Sequence, residues 1–171
     1  MQKFKNKNRH GFTLIEVLIV VVILGILAAT VLPQFASSTA NAKESALRAD
    51  LAQIRSQVTM YKFQHDGTFP NGTADNVVKQ LTLASNLAGD TAAPGTTGYP
   101  YGPYLMAQFP TNPYNGGSGI VVKTTAIGSA DVDTSAMQGS VKVGWIYSSL
   151  TGQVIANSTG NAADGTPLTG L

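Results

Sequence analysis

Two hydrophobic patterns follow one another in the first 65 residues. From Phe12 to Leu32 nearly every position is apolar, interrupted only by Thr13, Glu16, Gly25 and Thr30. Wound as a helix, this run spans about 32 Å and matches the hydrocarbon core of a bilayer. From Ala36 to Gln64 the chain turns rich in Ala, Gln, Lys and Arg. There Leu47, Leu51, Ile54, Val58 and Tyr61 recur at spacings of 4, 3, 4 and 3, which places one apolar stripe on an otherwise polar helix. The two patterns join into one helix from Phe12 to about Gln64, roughly 80 Å long at the standard rise. Its middle carries Gly25, a poor helix former, and Pro33, which lacks a backbone donor; the segment between them is predisposed to kink or unwind.

The helix stops at His65-Asp66-Gly67-Thr68-Phe69-Pro70, where Gly67 accepts a positive φ and Pro70 forbids continuation. A short second helix is expected from Ala74 to about Leu83, with Thr73 as N-cap and Val77, Val78 and Leu81 facing inward. The Gly/Pro/Thr/Tyr-rich stretch from Ala88 to Gly119 reads as irregular. Strand signals fall in the last third: β-branched residues from Ile120 to Ile127, alternation through Val141, Val143, Trp145 and Tyr147, and Gln153 to Ala156 after a turn. The expected fold class is α+β, a long N-terminal helix packed on a small C-terminal antiparallel sheet, because neither the stripe nor the sheet face can be left in water. Residues 157 to 171 read as loop.

Charge changes this picture at one end. The chain of 171 residues carries a formal net charge of +2, but Lys3, Lys5, Lys7 and Arg9 all lie in the first ten residues; without these four, 7 basic residues face 9 acidic ones, a net of −2. The body is therefore a poor binder of nucleic acid. The basic flank should stay cytoplasmic and send the C-terminal body across the membrane. A cleaved secretory signal fits less well, since its apolar region is usually shorter than Phe12 to Leu32. With no cysteine, disulfides and thiolate chemistry are excluded. No G-x-S-x-G, H-E-x-x-H, P-loop or paired-carboxylate motif supports an enzyme.

Glu16 is the costly residue. A carboxylate inside a membrane helix costs about 2.5–3.5 kcal/mol, and that cost calls for a partner. A carboxylate near a helix start interacts favourably with the dipole, but only by about 0.3–1 kcal/mol.

The stretch Gly11-Phe12-Thr13-Leu14-Ile15-Glu16, with a basic leader before it and an apolar helix bearing Gly25 and Pro33 after it, resembles the N-terminal signature of type IV pilin-like proteins. The resemblance implies a ladle-shaped, pilin-like fold. It also implies that a prepilin peptidase cuts between Gly11 and Phe12 and N-methylates Phe12. Glu16 would then pair with the new amine of Phe12, its own or a neighbour's, in a helical filament. The implied division is a leader at 1–11, a transmembrane and filament-core helix at 12–33, an amphipathic half-helix at 34–64 and a globular head at 65–171. Implied partners are other copies of the chain, the peptidase, an inner-membrane assembly platform with its ATPase, minor pilins or pseudopilins, an outer-membrane secretin, and lipid before assembly. The location is the inner membrane, then a periplasmic or surface filament.

Tyr61 to Pro70, Gly102-Pro103-Tyr104-Leu105, and Phe109 to Gly116 resemble segments of the major pseudopilins of type II secretion. That similarity makes a secretion filament the primary expectation, with a surface type IV pilus or a minor tip protein as alternatives. Many major pseudopilins hold calcium, so Asp131 and Asp133 become candidate ligands, with Asp164 in the tail. Their plain alternative is solvated loop carboxylates. His65-Asp66 reads as turn chemistry rather than a metal pair, and the Tyr-rich loop reads as packing over the sheet.

Overall fold

A computed structural model describes residues 11–106 and 108–171, so the basic leader at 1–10 lies outside the described residues. The chain divides into two compact units, one ending at Ala40 and one from Asn41 to Leu171. Helix α1 runs from Leu14 to Gln64. Its assignment is unbroken through Gly25 and Pro33.

In the second unit, the apolar stripe of α1 is the centre of the core. Leu47, Leu51, Ile54, Val58 and Tyr61 are each no more than 1% exposed, and they pack with Ile120, Trp145, Tyr147, Val154, Ala156 and Leu168. The 4-3-4-3 spacing is the cause, because it stacks these side chains on one face of a 3.6-residue helix. Polar contacts fasten the same stretch of helix to the last residues of the chain. The Arg55 guanidinium donates to Val154 O (2.8 Å from Nη2) and to Leu171 O (2.6 Å from Nη1). The Glu44 carboxylate accepts Ala163 N–H at 2.8 Å, and Arg48 bridges Glu44 and Asp164 at 2.9 and 3.1 Å.

Helix α1 ends where Asp66 (φ 49°) and Gly67 (φ 81°) enter the left-handed region, and Gly67 N–H returns to Lys62 O at 2.9 Å. That is the turn role expected of Asp66 and Gly67. Helix α2 spans Ala74–Thr82, with the Thr73 hydroxyl accepting Asn76 N–H as expected. Val77 and Leu81 are buried, whereas Val78 is only half-buried.

Two expectations about strands need correction. Pairing is not confined to the last third, because β1 (Ala84–Ser85) and β2 (Thr91–Ala92) form a small antiparallel ladder ahead of the long loop. Two-residue strands have no periodicity to read. The main sheet is also mixed rather than antiparallel. Its strands are β3 (Gly119–Lys123), β4 (Met137–Gln138), β5 (Val141–Ser148) and β6 (Val154–Ala156). Strand β5 is the hub, antiparallel to β4 and β6 but parallel to β3. The connection from residue 124 to 140 is long enough to carry the chain back to the starting end of the sheet, which a tight hairpin cannot do.

Strand β5 is covered on both faces. Trp145 and Tyr147 face the α1 stripe, while Ile146 packs with Ile127, Ile155 and Val132 of the second cluster. The residues expected to alternate outward therefore include one that lies in a second, smaller core.

Candidate functional site

The first unit begins with a capped helix start. Thr13 precedes the first helical residue, and its N–H and hydroxyl both donate to Glu16 Oε2 at 2.8 Å, while Glu16 N–H returns to the Thr13 hydroxyl at 3.3 Å. Thr-Leu-Ile-Glu is thus a capping box, in which residues at the cap and third helical positions satisfy each other's orphan donors. The T-x-x-E spacing at Thr13 and Glu16 carries that signal in the sequence. Both bonds use Oε2; among the described residues, Oε1 accepts none. With Gly11 still attached, the Phe12 nitrogen is a peptide amide rather than an amine.

Beyond the cap, the helix is bare. Phe12 is 85% exposed, Leu14 85%, and Ile15 to Leu27 offer large apolar side chains at half exposure or more on every side. The helix is long and apolar enough to cross a membrane. Gly25 has no neighbour within 4 Å that an added Cβ would meet. Thr30 satisfies its hydroxyl by donating to Leu27 O at 3.0 Å. Such local back-bonding lets a hydroxyl sit in an apolar stretch without an outside partner.

In the head, the structure does not bring the acidic candidates together as a metal site. Asp131 Oδ2 accepts Gly128 N–H at 2.9 Å, and its Oδ1 faces the Lys123 ammonium at 3.5 Å. Asp133 Oδ1 accepts both Ser135 N–H and the Ser135 hydroxyl, at 2.9 and 2.5 Å. Those two donors hold its carboxyl below the usual range. Asp164 is engaged by Thr166 N–H and Arg48. Among the described residues, no group of three or more His, Asp or Glu side chains is placed to hold a metal, and no buried side-chain polar atom lacks a partner. Calcium prefers 6–8 oxygens, and here both Asp131 oxygens, Asp133 Oδ1 and both Asp164 oxygens already face protein donors, with Lys123 beside Asp131 and Arg48 beside Asp164. The residues present do not fit the ion.

Three asparagines that sequence reasoning passed over hold this region instead. The Asn112 side chain donates to Gly144 O at 2.8 Å and to the Ser158 hydroxyl at 3.1 Å. Asn115 Nδ2 donates to Val143 O and Asn157 O at 2.9 and 2.7 Å. The Asn157 carboxamide accepts Asp133 N–H at 2.9 Å and donates to Asp133 O and Val143 O at 2.6 and 3.0 Å. A seam this close requires glycine: a Cβ on Gly117 would lie 2.6 Å from Lys142 O and 2.7 Å from Val143 C. His65 is likewise structural. Its ring stacks on Tyr61 with centroids 3.7 Å apart, and its nitrogens meet Tyr61 O and the Ser85 hydroxyl at 2.9 and 3.1 Å. Burial, then the neighbouring Tyr104, pushes the Tyr61 phenol up to about 12.

Comparison with known proteins places the N-terminal geometry in context. Residues 6–32 match the model of the prokaryotic N-terminal methylation motif. The chain is similar to the type II secretion system core protein G of Pseudomonas aeruginosa, 44% identical over 61 residues, 36% of this chain and 43% of that protein. It is similar to the protein of the same name from Klebsiella pneumoniae, 30% identical over 108 residues, 63% of this chain and 71% of that one. It is also similar to the ComG operon protein 3 homolog of Bacillus licheniformis, 31% identical over 64 residues, 37% of this chain and 66% of that protein. No solved structure matches the chain.

Proposed function

Because the chain belongs to the type II secretion system core protein G family, we propose that it is the repeating structural subunit of a helical, pilus-like filament for protein secretion. The observation that carries this reading is the bare apolar helix behind a capped carboxylate. Side chains from Leu14 to Leu32 find no cover among the described residues of their own chain. Lipid covers them before assembly, and neighbouring helices cover them in the filament.

In this reading residues 1–11 are a cytoplasmic leader, 12–33 the membrane and filament-core helix, 34–64 the amphipathic half, and 65–171 the extracytoplasmic head. A prepilin peptidase removes the leader between Gly11 and Phe12 and methylates Phe12. The cut converts the Phe12 amide into a cationic amine four residues from Glu16. Thr13 already orients the carboxylate, and Oε1 is left to accept the amine of Phe12 in its own or a neighbouring chain. Two opposite charges in lipid offset a penalty that either bears alone. Gly25 and Pro33 mark the stretch where the packed helix unwinds. An inner-membrane assembly platform with its ATPase, minor pseudopilins and the secretin are the partners, and the role is structural rather than catalytic.

The test is Glu16→Ala in cells. The variant should insert and lose its leader as the wild type does, yet give filaments at least about fivefold less abundant, since a lost ion pair in lipid is worth about 1 kcal/mol or more. Wild-type filament yield would sink the pairing. The resemblance of Gly11 to Glu16 to the type IV pilin signature supports one other reading, a surface pilus. Abundant surface fibres at native expression, with secretion intact on deletion of the chain, would favour it.

A further inference from the structure

We propose that the loop between β3 and β5 is locked by the Asn157 carboxamide in the role a divalent cation would otherwise play, so that the head folds fully without calcium. The inference rests on the geometry of the head alone and holds whether or not the filament reading does.

The connection, residues 124 to 140, returns the chain to the start of the sheet; it holds a 3-10 turn at Ser129–Asp131 and the short strand β4, and residues 132 to 136 between them belong to no strand or helix. Asn157 follows β6 and is 1% exposed. Its carboxamide closes on both peptide groups of Asp133, taking the N–H at 2.9 Å and giving an N–H to the carbonyl at 2.6 Å, as a neighbouring strand would. The second Nδ2 hydrogen goes to Val143 O at 3.0 Å on β5. The backbone of Asn157 is held equally firmly, with its N–H on Gly144 O at 2.9 Å and its carbonyl taking Asn115 Nδ2 at 2.7 Å. One side chain therefore ties loop, sheet and the 112–117 turn together, and each of its polar atoms is used.

A cation would do the same work by gathering oxygens from these segments, but the chemistry around Asp131 and Asp133 opposes one. The cavity they line, about 130 Å³, is also lined by Val121, Lys123, Ala136, Ile146 and Asn157. The side chains of Val121, Ala136 and Ile146 carry no oxygen, the Asn157 side-chain oxygen is taken by Asp133 N–H, and the Lys123 ammonium lies 3.5 Å from Asp131.

The full chain in detergent micelles provides the test, with the melting of the head followed by near-ultraviolet circular dichroism. Saturating a real site a hundredfold above its Kd would raise Tm by roughly 5–11 °C. The expected difference between excess calcium and excess EGTA is instead within about 1 °C, and equilibrium dialysis with radioactive calcium should detect no saturable binding; a calcium-dependent rise in Tm, or saturation in dialysis, overturns the proposal. Asn157→Ala should lower Tm by roughly 5 °C or more, because it strips three side-chain bonds at once. The double change D131N/D133N keeps one acceptor oxygen on each residue, enough for the Gly128 and Ser135 donors, and removes the charge that a cation needs. It should leave Tm within about 2 °C of wild type, as small surface changes do. A fall for D131N/D133N as large as that for Asn157→Ala, or an unchanged Tm for Asn157→Ala, also overturns it.

Discussion

Replacing Gly117 with alanine tests the asparagine seam by distance. The new Cβ would sit 2.6 Å from Lys142 O, and ordinary contact begins at about 3.4 Å, so the 112–117 turn must lift from β5 by about 0.8 Å (3.4 − 2.6). The lift stretches Asn112 Nδ2 to Gly144 O from 2.8 to about 3.6 Å and Asn115 Nδ2 to Val143 O from 2.9 to about 3.7 Å, and it strains the bond to Asn157 O. Bonds of that length no longer count, since useful N–H···O distances end near 3.2 Å. Three bonds at about 1 kcal/mol each give a loss of roughly 3 kcal/mol. Alanine recovers about 0.4–1 kcal/mol by restricting the unfolded chain, leaving roughly 2–3 kcal/mol. For a chain of this size that lowers Tm by roughly 4–12 °C.

The assay is thermal denaturation in micelles, read at Trp145, the chain's one tryptophan, which is fully buried and donates its Nε1–H to Pro110 O at 2.7 Å. Gly128→Ala is the control. Gly128 is extended, with φ −161°, and an added Cβ there meets nothing within 4 Å. It should change stability by less than about 0.5 kcal/mol. Equal melting temperatures for the two variants would refute the close-approach reasoning.

Two further outcomes follow from the core. Leu51→Ala, at a position 1% exposed beneath the sheet, should cost roughly 2–5 kcal/mol in chemical denaturation; a loss below about 1 kcal/mol would mean the stripe is not packed as described. The Tyr61 phenol is pushed from its ordinary 10.0 to about 12 by burial, and the Tyr147 phenol moves the same way. A raised pKa favours the neutral form, so the stability it contributes is complete below pH 10 and is lost as pH rises towards 12. Tyrosinate absorbance should therefore rise together with unfolding in that window, and ionisation of all six tyrosines near pH 10 with the fold intact would contradict it.

The long helix was legible because its signals are local: a 4-3-4-3 stripe, a run of apolar residues, Thr73 at a cap, and Gly67 at a stop. The resemblance at Gly11 to Glu16 was legible for the same reason. The parallel pairing of β3 with β5 was not, because hydrophobic alternation is identical in parallel and antiparallel strands and only the path of residues 124 to 140 decides between them. Ile146 shows a related limit. Alternation assigned it to the outer face, and whether a loop then covers that face depends on Ile127 and Val132, 19 and 14 residues earlier. The asparagine seam joins residues 14 to 46 positions apart through amide groups that in sequence look like ordinary turn formers. Nothing in their spacing announces a network.

The attachment of the α1 stripe to the end of the chain also dictates an order of events during synthesis. Arg55 bonds to Val154, 99 residues later, and Glu44 to Ala163, 119 residues later. The stripe of α1 is made early; Val77, Leu81, Tyr104, Leu105, Phe109 and Ile120 supply part of its cluster, and Trp145, Tyr147, Val154, Ala156 and Leu168 complete it only when they emerge. Until then the Leu47 to Tyr61 stripe is only partly covered. Contacts this distant in sequence close slowly and leave an aggregation-prone intermediate. A chain cut short before β6 would carry a sound membrane helix beside an unfinished head, which gives proteases a ready means of telling incomplete subunits from finished ones.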